Sequence, residues 1–113
     1  MNKKEIGHWG EKIATTYLKK QGYQIMENNW HHQHRELDII AYYKNVIGVE
    51  VKTRKSFGPP QSILKPAQIS RLRQTLLKYC QIKGLNYEKS QLELIVITKL
   101  NKQSLNLKHY RQI

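Results

Sequence analysis

Two stretches of the chain carry charge where an apolar strand is expected. Arg35-Glu36-Leu37-Asp38-Ile39-Ile40 sets an aspartate among aliphatic residues, and Val49-Glu50-Val51-Lys52 alternates two valines with a glutamate and a lysine. Side chains alternate across a strand, so Glu50 and Lys52 share one face and the valines take the other. Asp38 joins them in only one hairpin register. A two-residue loop at Lys44-Asn45 pairs Asp38 with Val51 and turns the aspartate away from Glu50. A three-residue loop, Tyr43-Lys44-Asn45, pairs Tyr42 with Val46 and sets Asp38 opposite Glu50. It needs a left-handed residue at its last position, which Asn45 tolerates, and it leaves Leu37, Ile39, Val49 and Val51 on one shared apolar face. We take the second register.

Two carboxylates about 5 Å apart repel by roughly 3 kcal/mol at an effective dielectric of about 20. A cation, a raised pKa or a nearby lysine must offset that repulsion. A hard divalent cation, Mg²⁺ or Mn²⁺, suits the donor set, with Asp38 and Glu50 as ligands and water completing the shell. Lys52 would orient an attacking water and stabilise charge on a phosphate, while the metal lowers that water's pKa. Glu11, in line with Gly7, Ala14 and Leu18 on a first helix, could reach the same place as a third acid. The bland alternative is an exposed sheet face whose Asp, Glu and Lys form ordinary cross-strand pairs; the scarcity of aspartate in strands counts against it.

The elements that must position these residues are legible in outline. Lys3 to Gln21 reads as a helix with Asn2 as N-cap, Glu5 at capping-box spacing and Gly22 closing it. Strands follow at Tyr23–Asn28, Leu37–Tyr42 and Val46–Lys52. Thr53–Leu64 contains Gly58-Pro59-Pro60, which no regular element accepts in its interior. Pro66 suits the first turn of a second helix, with Ile69, Leu72, Leu76 and Cys80 on its inner stripe and Gly84 at its end. Leu92–Thr98 reads as a buried strand, joined to the third strand by a crossover helix and hence parallel to it. Leu105–Tyr110 adds a final strand.

The chain has 113 residues, with 20 Lys and Arg against 8 Asp and Glu, a net charge of +12. That length fits one domain, and the charge points to a polyanionic partner, nucleic acid before a membrane surface. Cys80 is the only cysteine, so neither an intrachain disulfide nor a Cys-rich zinc site is available. No apolar run approaches the roughly 20 residues of a membrane span, and the first residues lack the apolar stretch of a secretory signal; a cytoplasmic protein is expected. His31, His32 and His34 are crowded into one turn and read first as a solvated loop, next as a loop contacting phosphate, and only last as a metal centre. Trp9, Trp30, Tyr42 and Tyr43 read as core or rim.

Gly7-x-x-Gly10-Glu11, Glu36-Leu37-Asp38-Ile39-Ile40-Ala41 and Val49-Glu50-Val51-Lys52-Thr53-Arg54, in this order and spacing, resemble the YraN-like family of small bacterial proteins. That family is similar to archaeal Holliday-junction resolvases within the PD-(D/E)xK nuclease superfamily. The resemblance runs from about Gly7 to Thr98. Arg35 departs from it where glycine is usual, Gln61 and Gln68 stand near positions more often Glu and Lys, and Glu93 replaces a common aspartate.

The resemblance implies an α/β, restriction-endonuclease-like domain with an αβββαβ core over about residues 3–98 and an extension over 99–113. It implies Asp38 and Glu50 as metal ligands, Lys52 as the catalytic lysine and Glu11 as the helix-borne acid. The expectation is a Mg²⁺- or Mn²⁺-dependent endonuclease acting on DNA rather than RNA, with branched DNA as one substrate class. Arg35, Arg54, Lys55, Lys65 and Arg71 would track the backbone, and symmetric resolution of a junction would require a dimer. The alternative is a nucleic-acid-binding module that keeps the fold without turnover and acts through a partner.

Overall fold

Asn2 starts the first helix as its type and spacing predict. Its Oδ1 accepts the Glu5 N–H at 2.8 Å, while Glu5 Oε1 accepts the Asn2 N–H at 3.2 Å. Two orphan donors of the first turn are thereby satisfied. In the computed structural model, which describes residues 1–113, helix α1 runs Lys3–Lys20 and Gly22, at φ +95°, turns the chain into the sheet. Ala14 and Leu18 are fully buried beneath it. Gly10 lets it sit close, because a Cβ there would lie 2.9 Å from Thr53 Oγ1 and 3.7 Å from Val51.

Strands β1 (Gln24–His32), β2 (Arg35–Tyr43) and β3 (Asn45–Arg54) form an antiparallel meander. One helical turn, α2 (Pro60–Ile63), precedes α3 (Pro66–Lys83), and β4 (Gln91–Lys99) then returns parallel to β3. β5 (Leu105–Tyr110) pairs antiparallel with β4, so the sheet order is β1-β2-β3-β4-β5. This is the expected αβββαβ restriction-endonuclease-like α/β core, with β5 added at an edge. The turn α2 was not foreseen. Pro60 occupies its first position, where a missing N–H costs nothing.

The sheet is covered on both faces, which is why β4 reads as a nearly continuous apolar run. Ala14 and Leu18 of α1 pack with Ile39, Ala41, Ile47, Val49, Ile95 and Ile97. On the other face Leu72, Leu76, Tyr79 and Cys80 of α3 pack with Leu37, Ile40, Val46, Leu92, Leu94 and Val96. No helix is long and apolar enough to cross a membrane.

The β2–β3 register is the one that pairs Tyr42 with Val46. The left-handed residue, however, is Lys44 at φ +65°, not Asn45. Tyr43 and Asn45 still pair across the turn, so Lys44 alone remains to reverse the chain. Leu37 also differs from expectation: it packs under α3, whereas Ile39, Val49 and Val51 lie on the α1 side. β1 changes face at the same level, at Asn29, which is left-handed at φ +52°. Asn28, paired with Ile39, donates to Thr15 Oγ1 of α1 at 3.0 Å, yet Trp30, paired with Leu37, meets the Tyr79 ring of α3 edge-on at 5.1 Å. His31 and His32 belong to β1 rather than to a turn; Gln33 (φ +57°) and His34 make the turn.

Candidate active site where β2 and β3 part

The β2–β3 ladder stops at Ile39↔Val49, one step short of the expected Asp38–Glu50 pair. Beyond it a side chain replaces the backbone partner: Asp38 Oδ2 accepts the Val51 N–H at 2.9 Å. The acid is thus fixed in the opening between the strands instead of standing square across from Glu50. Glu50, its side chain 15 % exposed, lies beside it, with Lys52 Nζ 3.3 Å from Glu50 Oε2. Glu50 and Glu11 both lie near enough to Asp38 to feel its charge. Glu11 arrives from α1, and its Oε2 accepts from Asn29 Nδ2 at 3.3 Å. The left-handed turn of Asn29 that breaks the alternation therefore also supplies a contact for the helix-borne acid. The structure brings all four residues, Glu11, Asp38, Glu50 and Lys52, to one place.

Burial, and then the Asp38 charge, push the Glu50 carboxyl up to about 8, against the opposing pull of Lys52. The same two causes raise Glu11 to about 7, with the Asn29 bond acting the other way. A carboxyl whose folded pKa lies above its unfolded value makes the native state the better proton binder in between. Its stabilising contribution is full below pH about 4.5 and is lost as pH rises toward 8. Without added metal, the melting temperature should therefore fall between pH 5 and 8.5, by about 5–10 °C. Glu50→Gln should flatten that fall, measured by circular dichroism in EDTA; an equal slope in both proteins would count against a strained Glu50.

Glu50 also borders an open groove of about 550 Å³. One wall is the β1–β2 hairpin, with Gln33, His34, Arg35 and Glu36; the other is α3, with Gln68, Arg71, Gln74 and Thr75. A single lining residue, Leu72, is apolar. Arg35 Nη1 donates to Gln74 Oε1 at 3.3 Å, bridging the walls. Of the five basic residues expected to contact a backbone, Arg35 and Arg71 line this groove; Arg54, Lys55 and Lys65 are exposed but lie outside it. His34 belongs to the histidine loop read as solvated or phosphate-contacting, whereas Gln68 and Thr75 were given no role. Gln68 had a visible signal, since its position in a helix opened by Pro66 suits a reach back to the Lys65 N–H, which it accepts at 2.9 Å. The histidines do not converge: His31 pairs with Glu36 at 2.9 Å, and no three His, Cys, Asp or Glu side chains close into a metal cage.

A second polar cluster lies on the α1 side of β4. Glu93, 3 % exposed, accepts from the Tyr23 hydroxyl at 2.8 Å and bonds His109 Nε2 at 2.6 Å. His109 Nδ1 in turn lies 2.9 Å from the Tyr17 hydroxyl. Burial and the Glu93 contact hold the Tyr23 phenol well above its ordinary pKa.

Comparison with known sequences covers the four site residues. The sequence model for "Uncharacterised protein family UPF0102" matches residues 10–98. A UPF0102 protein of Flavobacterium psychrophilum is 38 % identical over 109 residues, covering 94 % of this chain and 90 % of that protein. A UPF0102 protein of Flavobacterium johnsoniae is 35 % identical over 111 residues, 93 % of this chain and 89 % of its own. One from Syntrophomonas wolfei is 42 % identical over 79 residues, 67 % of this chain and 69 % of its own.

Proposed function

The chain belongs to the uncharacterised protein family UPF0102, and from that premise we propose that it is a metal-dependent DNA endonuclease. The observation that carries the reading is the gathering of Asp38, Glu50 and Lys52 at the edge of a polar groove, in a chain of net charge +12. A merely structural ion-pair face would pair its acids with cations. Here Glu50 has one cation and Glu11 none, and both are held above their ordinary pKa by burial and by Asp38. An all-oxygen set of this kind fits Mg²⁺ or Mn²⁺, which take one or two carboxylates and keep the remainder as water or phosphate oxygen.

Asp38 and Glu50 would hold the cation, which when bound supplies an acidified water and charge neutralisation at the phosphorus. The protein's own share is orientation. The Val51 N–H holds Asp38 in place, and Lys52, held by Glu50, presents a fixed ammonium to charge developing on a phosphate oxygen. Glu11, whose carboxyl is raised by burial and by Asp38 when no cation is bound, would be the helix-borne acid beside the cation site. Arg35 and Arg71 on opposite walls of the groove would bind the phosphates on either side of the scissile one. Cutting both strands of a symmetric junction would take two copies of the chain.

The purified protein with Mn²⁺ should nick at least one of linear, forked or four-way DNA, and EDTA or Asp38→Asn should abolish the cut. Cleavage that survives Asp38→Asn unchanged would overturn the assignment. Salt-sensitive binding with no cut under any metal would favour the rival reading, a binding module without turnover.

A further inference from the structure

Of the six glycines, five have a reason inside the protein. Gly22 and Gly84 sit at φ +95° and +68°. A Cβ on Gly10, Gly48 or Gly58 would come within 2.9, 3.1 or 2.8 Å of a neighbouring side chain. Gly7 alone is unexplained: it is exposed, lies within α1, and a Cβ there would meet nothing within 4 Å. Glycine inside a helix is less stable than alanine, so the protein's own packing gives no cause for it.

Its place on the helix is informative. Residues 7, 11, 14 and 18 share one stripe. Leu18 and Ala14 on that stripe are fully buried, Glu11 is half-buried beside Asp38 and Asn29, and Gly7 is bare. The stripe that faces the sheet thus runs out from the core into solvent, and α1 overhangs with its underside uncovered one turn beyond the third acid. Two amides at the start of the helix are already taken, since Glu5 N–H bonds Asn2 Oδ1 and Ile6 N–H bonds Asn2 O. What Gly7 offers is clearance. Lys3 and Lys4, exposed on the preceding turn, flank it with positive charge.

We propose that the sugar–phosphate backbone of the bound DNA passes beneath this overhang, against Gly7, so that the nucleic acid is gripped on both sides of the carboxylates: by the groove on the α3 side and by bare helix on the α1 side. The inference rests on the nucleic-acid reading above. Gly7 acts as a positioning residue by being absent as a side chain. A methyl group there narrows the passage and a leucine blocks it.

The test compares Gly7→Ala, Gly7→Leu and Thr16→Leu, the last on the opposite, exposed face of α1. All three should melt no lower than the wild type. In fluorescence anisotropy with labelled linear, forked and four-way DNA in EDTA, Gly7→Leu should weaken binding by about tenfold or more and Gly7→Ala by about threefold, with Thr16→Leu unchanged. Binding by Gly7→Leu within about twofold of wild type would overturn the proposal, as would a wild type that binds none of these DNAs. Cleavage in Mn²⁺ is scored separately. A wild type that binds but never cuts, with Gly7→Leu weakened, removes the hydrolytic reading and keeps the path. A wild type that cuts, with Gly7→Leu equally tight, removes the path alone.

Discussion

Lys52→Ala should lower Mn²⁺-dependent DNA cleavage by about 10²–10³-fold while changing DNA affinity less than about threefold. The ammonium sits 3.3 Å from Glu50 Oε2 with its side chain only 25 % exposed, so it is already oriented and little is gained or lost in the ground state. In the proposed nuclease its value would lie in charge that appears only as the phosphate reacts, which is where a fixed cation raises turnover rather than binding. Glu50→Gln should lose cleavage to a similar degree, by removing a ligand charge, yet melt higher than the wild type at pH 8, where the native carboxylate is most strained. Activity and stability moving in opposite directions separate a catalytic loss from a folding defect. Single-turnover rates at saturating DNA provide the measurement. A Lys52→Ala protein that cuts at the wild-type rate would strip the lysine of its assigned role.

Glu93→Ala should cost about 3–5 kcal/mol of stability, because removing one partner of a buried polar cluster strands the others. The Tyr23 hydroxyl and His109 Nε2 both meet Glu93 Oε1, and the His109 side chain is 5 % exposed. Neither has water to turn to. For a domain of this size the melting temperature should drop by at least about 10 °C, and Glu93→Gln, which keeps an acceptor, should fall between the two. A drop under about 2 °C in thermal or urea unfolding would mean that the cluster rearranges freely. The large cost follows from what the cluster joins: α1 through Tyr17, the entry to β1 through Tyr23, β4, and the edge strand β5 through His109.

The features readable in the sequence were those set by local chemistry. Asn2 and Glu5 lie three residues apart, Pro66 opens a helix, Gly84 closes one, and the alternation around Tyr42 and Val46 fixes a hairpin. The convergence of Asp38, Glu50 and Lys52 followed from that hairpin, and Glu11 from its helical stripe. What was hidden depended on breaks in period or on distance along the chain. β1 and β2 change face together at Asn29 and Asp38, which puts Leu37 under α3, and no periodicity count registers such a break. Glu93 is 70 residues from Tyr23, so its meaning was invisible until the strands were ordered. The same holds for Gln74, which reaches Arg35 across 39 residues.

The Asp38 bond to the Val51 N–H carries a lesson for anyone hoping to move this chemistry elsewhere. The acid's aim comes from an amide on the strand that also bears the glutamate and the lysine, available because its neighbour has peeled away. Grafting the residues onto an intact ladder would leave that amide already spoken for and the aspartate loose. The portable unit is the unzipped hairpin, of which the side chains are only the visible part.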